Sequence, residues 1–253
     1  MRNLAIKKNK RIGRVIFFVE GDEDEKELLS RIFVDIYGYS MVCFDKRNGK
    51  VLTFNKEEEP YSKVFVVPMP DSSPKHIPGN EEFLNKVFAR LCEYGLQYDE
   101  AFIYYLFDRD WQSNKADNLR EKLIMLKNPL DNGSVSAGAL LLSYPCLQAF
   151  YCLAHGEQED FPDNKKIKSF VKVEGRMKVG EQELLRCSSE MLSIISDLTG
   201  MSFTSDMLED YSMFNVPVFE AEEAYAARKG DHTYKTLSLL CLALLDLGLI
   251  TID

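Results

Sequence analysis

The chain has 253 residues, 45% of them hydrophobic and 28% charged, an ordinary globular composition that excludes a disordered or low-complexity polypeptide. Its formal net charge of −9 supplies no global positive field, so any nucleic-acid function must rest on local basic patches, metal ions or a partner. Six scattered cysteines show no paired metal-ligand spacing and the first residues lack the apolar segment of a signal peptide, so a reducing cytoplasm is the expected compartment.

A basic arm over residues 1–14, with Lys7, Lys8, Lys10, Arg11 and Arg14, leads into Val15-Ile16-Phe17-Phe18-Val19. This run does not alternate, as expected of a strand buried on both faces of a parallel sheet. Glu20-Gly21-Asp22-Glu23-Asp24-Glu25 follows, then Leu28, Leu29, Ile32, Phe33 and Ile36 at helical spacing, with Gly38 as a stop. Carboxylates in the first turn of that helix suit its dipole, and their plainest reading is a solvent-facing cap. Short strands are expected over 41–44 and 51–54 around an Asn48-Gly49 turn, and another over 64–67. The proline-rich stretch 68–79 reads as a loop able to cover a site, and 80–95 as a helix with Phe83, Leu84, Val87, Phe88 and Leu91 on one face.

Ala101-Phe102-Ile103-Tyr104-Tyr105-Leu106-Phe107 is a second buried-strand run, ending in Asp108-Arg109-Asp110. A polar helix over 115–126, a strand over 139–143 and an apolar helix over 146–155 complete an alternation typical of a mostly parallel α/β sheet. Beyond residue 156 the pattern turns helical, interrupted by a basic segment with Lys165, Lys166, Lys168, Lys172, Arg176 and Lys178. The apolar run Leu237 to Ile250 is too short to span a membrane and contains Asp246. Read as a helix over 234–249, it belongs in the core or on a self-association surface, so a homo-oligomer is expected. The expected organisation is an α/β domain over 1–155 with a mainly helical C-terminal region, 156–253, packed on it.

Ligand sites in open α/β sheets lie beyond the carboxyl ends of the strands. If the two buried strands are neighbours, Glu20, Asp24, Asp108 and Asp110 meet at one edge and offer hard oxygen ligands to a divalent cation. Asp108 and Asp110 would share one side of a continuing strand, with Arg109 turned away. Trp111 is expected in the core beneath the site, base stacking being its other reading, and His155 at a helix C-terminus.

The spacing Val19-Glu20-Gly21-x-x-Asp24, with Phe107-Asp108-x-Asp110 later, resembles the Toprim domain of topoisomerases, bacterial primases, RNA-maturation nucleases and the overcoming-lysogenization-defect (OLD) nucleases. Leu142-Ser143-Tyr144-Pro145-Cys146-Leu147-Gln148, followed by His155, is similar to the Ser-x-Pro-x-x-Glu stretch of RloB-like proteins and of AriB, the nuclease of the PARIS phage-defence system. The resemblance covers about residues 15–155. It implies a Toprim-like sheet and an Mg2+- or Mn2+-dependent endonuclease acting on DNA or RNA, tRNA included. Glu20, Asp108 and Asp110 would be catalytic, and those three with Asp24 the metal ligands. It further implies an effector role in anti-phage or restriction-associated defence, under a partner such as an ATPase. Gln148 departs from the pattern: an amide keeps an oxygen ligand but loses the charge, which weakens a second metal site. A degenerate Toprim module with a binding or regulatory role is the alternative. Topoisomerase and primase chemistry would need further domains, and a receiver-type fold a later acceptor aspartate and lysine.

Overall fold

The structure, a computed structural model, describes residues 3–21, 23–44, 51–69, 89, 92, 101–112, 114–130, 138–157, 159–173 and 175–252. The expected Asn48-Gly49 turn, nearly all of the proline-rich loop with its His76, and the helix over 80–95 apart from helical Ala89 and Cys92 lie outside these residues.

The two non-alternating runs become adjacent parallel strands, β2 (Arg14–Val19) and β6 (Ala101–Asp108). Both faces are covered: Val15 to Val19 are all fully buried. Side chains alternate between faces, so Phe17 stacks on Tyr104 (5.4 Å between centroids) and Phe18 on Tyr105 (5.0 Å) on opposite sides. The sheet adds β3 (Ser40–Phe44), β4 (Val51–Lys56), β5 (Glu59–Pro68), β7 (Lys127–Asn128), β8 (Gly138–Tyr144) and β9 (Leu237–Ser238). Its order is β3-β4-β5-β2-β6-β8-β7, with β9 also paired to β8. The central strands β5, β2, β6 and β8 are parallel, while the flanking partners β3, β4, β7 and β9 run antiparallel to their neighbours, giving a mixed, mostly parallel α/β sheet flanked by helices.

Helix α1 (Asp24–Ser30) continues as a wide π-helical segment, Arg31–Ile36, and buries Leu28, Leu29, Ile32, Phe33 and Ile36 as their spacing predicts. Gly38, at φ +72°, ends it. Further along are α2 (Ala116–Met125), α3 (Ala149–Ala154), α4 (Asn164–Val171), α5 (Glu181–Thr199), α6 (Ser212–Lys229) and α7 (Leu240–Asp246). The segment 165–178, expected only as a basic interruption, carries α4: Asp163 caps it by accepting from Lys166 N, and Ile167 and Val171 are buried beneath its lysines.

The last apolar run differs most from expectation. It is not one helix but β9, then α7, then β10 (Ile250–Ile252), which pairs antiparallel with β1 (Leu4–Ile6) in the basic arm. Leu240 to Leu245 are all buried within this chain, so α7 presents no apolar face for self-association. Helix α5 packs on α3, α6, α7 and β1, and a single buried cluster runs from Ile12 to Ile250. Among the described residues, no helix is long and apolar enough to cross a membrane.

Candidate functional site

Parallel β2 and β6 end side by side, Val19 opposite Leu106, and the chain leaves the sheet at Glu20. The half-buried Glu20 carboxylate reaches across to the neighbouring strand, where Oε2 accepts from Asp108 N at 2.8 Å. Asp108 Oδ1 in turn accepts from Leu147 N at 2.8 Å, beyond the end of β8. From α1, Asp24 Oδ2 accepts from Gln148 Nε2 at 2.7 Å, and Gln148 Oε1 accepts from Cys146 Sγ at 3.1 Å. Three strand ends and one helix start are thereby joined through side chains.

A cavity of about 460 Å3 opens over this network, lined by Glu20, Glu23, Asp24, Glu25, Asp108, Gln148 and Lys168 among others. Sequence spacing singled out three of these acids, but not Glu25. Rather than facing solvent in a capped first turn, Glu25 is 7% exposed and its Oε1 accepts from Gly21 N at 3.1 Å. The available signal was Gly21: a Cβ there would lie 2.5 Å from Glu25 Oε2.

Burial pushes Glu20 up to about 7, with the Asp108 amide pulling against it and the charges of Glu25 and Asp110 adding to it. Burial also raises Glu25, and holds Asp108 well above the usual carboxylate range with help from the Glu20 and Glu25 charges. Lys168 opposes the rise at all three.

Asp110 is placed differently from the expectation. β6 stops at Asp108, so the two aspartates do not share a strand face. Asp110 turns back, accepting from Gln112 N at 3.3 Å, and lines a neighbouring cavity. It still lies close enough to raise Glu20. Between them, Arg109 points inward and is 3% exposed. Its Nε donates to Glu223 Oε1 at 2.6 Å and its Nη1 to Asn114 O at 2.9 Å, while its guanidinium lies over Phe219 and Tyr234. The site loop is thus fixed to α6, a link the local sequence gives no sign of.

Trp111 is not in the core. It is 40% exposed and lies flat against His232, ring centroids 3.8 Å apart at 12°. His155 caps the C-terminal end of α3, as its position suggests. Of the basic segment, Lys168 reaches the carboxylate cavity and Lys165 the neighbouring one. Lys166, Lys172 and Lys178 are exposed. Arg176 is engaged within the chain, 3.9 Å over Phe170 and ion-paired with Glu157 at 3.8 Å. The N-terminal arm lies at the other end of the strands: Arg14 precedes Val19 by five residues along β2, roughly 16 Å. Lys8 pairs there with Glu181 and Arg11 with Glu59, each at 2.6 Å, so this patch does not adjoin the carboxylates.

Oxygen donors alone, buried against one another, suit a hard cation such as Mg2+ or Mn2+ in their chemistry. As placed, no three acidic, histidine or cysteine side chains among the described residues stand together as ligands of one ion. Holding a cation therefore calls for carboxylate rotation into the cavity. No protein-family model matches the chain, and no curated protein matches it.

Proposed function

We propose that the chain is a Toprim-like, Mg2+- or Mn2+-dependent endonuclease hydrolysing phosphodiester bonds in DNA or RNA. The observation that carries the reading is the hydrogen bond from the Asp108 amide to Glu20, joining two adjacent parallel strands inside an acidic cavity. Glu20, Asp24 and Asp108 would hold the cation, with Glu25 beside them and Asp110 at the rim. When bound, the ion would neutralise charge on the phosphodiester and make water a better nucleophile. The chain's own groups supply the rest. Burial holds the Glu20 carboxyl up at about 7 without a cation, and a bound cation would draw it into the ionised form that ligates the ion. Lys168 sets a cation at the cavity where an anionic phosphate would sit. Gln148 orients Asp24, and Arg109 fixes the loop between Asp108 and Asp110. An effector role in anti-phage defence and control by an ATPase partner belong to the same proposal through the resemblance alone.

The test is cleavage of plasmid, single-stranded DNA and total tRNA in magnesium, manganese or EDTA, wild type beside Glu20→Ala and Asp108→Ala. Metal-dependent cutting that both variants lose, with the fold intact by circular dichroism, is expected. Full cutting by either variant would overturn the assignment. The second reading, a degenerate binding or regulatory module, draws on the neutral Gln148 bonded to Asp24. It predicts neither cutting nor divalent-cation binding by calorimetry.

A further inference from the structure

Beside the carboxylate cavity lies a second one of about 280 Å3, close to the lower end for small-ligand pockets and matched to a single ring system. Trp111, Tyr234, Pro145 and Pro162 give it flat apolar walls, and Gln112 and Asn164 place amides at its edge. Its charged groups, Asp110 and Asp163 against Lys165, leave no positive excess. Such a cavity repels a phosphate and tolerates a neutral ring with hydrogen-bonding edges. We propose that it receives an unpaired nucleobase of the substrate strand, stacked on Trp111, while the adjoining phosphate lies at the carboxylates.

Three observations converge on that occupant. Trp111 follows Asp108 by three residues, so its backbone lies at most about 11 Å along the chain from the carboxylate site. Its indole is exposed yet already oriented, held flat against His232, so stacking on it loses little conformational freedom. His232 is itself set by a tight turn, in which Asp231 and His232 adopt left-handed backbone at φ +53° and +52° and Thr233 N donates to Gly230 O at 3.2 Å.

This inference rests on the nuclease reading for the phosphate but not for the base, which makes the two separable. Trp111 is the only tryptophan in the chain, so intrinsic fluorescence reports this site alone. The intact protein in EDTA is titrated with nucleoside monophosphates, single-stranded DNA and RNA decamers, and a DNA duplex. Quenching by decamers, weaker for the duplex, is expected. Anisotropy of a labelled decamer should show roughly a 5- to 150-fold loss of affinity in Trp111→Ala and near-wild-type affinity in Trp111→Phe, which keeps a stacking ring. Unchanged decamer affinity in Trp111→Ala overturns the proposal, as does quenching by monophosphates but not by decamers. Metal-dependent cutting without quenching would also overturn the pocket while the nuclease stands. Quenching with neither cutting nor divalent-cation binding by calorimetry would sustain the pocket and sink the nuclease.

Discussion

Glu20 is the residue on which the chemistry turns, and its proton is measurable without a substrate. Its carboxyl sits near 7 in the folded chain against an ordinary value of about 4.5. The folded state therefore binds this proton more tightly than the unfolded chain does. The group's contribution to stability is complete below about pH 4.5 and is lost as pH rises through 7, amounting to roughly 3 kcal/mol. Glu20→Gln keeps an oxygen for the Asp108 amide and removes the titration. In urea melts under EDTA, the stability difference between Glu20→Gln and wild type should grow in the variant's favour from pH 5 to pH 8. A difference independent of pH would contradict the burial of this carboxyl. Glu20, Asp24 and Asp108 were legible in the sequence because each follows or closely succeeds a buried strand, where sheet geometry leaves little choice of position. Glu25 was not: its inward turn depends on the Gly21 N–H four residues before it, and four consecutive acids look alike in a sequence.

At the scale of elements, the site loop depends on ties to the C-terminal helices. Arg109 joins the end of β6 to Glu223 on α6 and stacks over Phe219 and Tyr234, with its planar guanidinium satisfying both demands. Arg109→Ala leaves Glu223 and the Asn114 carbonyl without their donor and should cost about 3 kcal/mol in a urea melt. Arg109→Lys should recover less than half of that loss; full recovery would show that charge alone matters. A second tie runs through Asp246, which accepts from Tyr104 on β6 at 2.6 Å and from Tyr211, just before α6, at 2.8 Å. Burial raises the Asp246 carboxyl while these two hydroxyls pull it back. Asp246→Ala strands two buried hydroxyls and should destabilise by about 2–4 kcal/mol, with Asp246→Asn costing less. Equal losses in the two variants would show that acceptor geometry is not what matters. Most of the described strands and helices between residues 15 and 155, such as β2, β6, β8 and α1, could be read from period and punctuation. The β4–β5 hairpin could not be bounded, since its turn is Glu57-Glu58 rather than a glycine or asparagine pair. β9 and β10 were hidden for a different reason: a run buried on every side has no polar face, and without one strand and helix carry the same pattern.

For the molecule as a whole, net charge sets the terms of any encounter with nucleic acid. A chain at −9 approaches a polyanion against its own mean field, so binding must be concentrated where cations adjoin the site. The structure divides the two basic segments on this criterion. The arm is at the far end of the strands and partly neutralised by Glu181 and Glu59, whereas α4 runs beside both cavities with Lys165 and Lys168. Lys165, Lys168 and Lys172 are spaced i, i+3 and i+7, which puts them along one stripe. Each phosphate neutralised by a lysine releases counterions, adding about 0.7 to the slope of log affinity against log salt for a single strand. Lys165→Gln with Lys172→Gln should therefore lower that slope by about 1 to 1.5 in decamer binding, while Lys7→Gln with Lys10→Gln leaves it unchanged. A slope that responds to the arm rather than to α4 would mean the strand crosses the opposite end of the sheet. Its phosphates would then lie too far from Glu20 and Asp108 for the carboxylates to act on them.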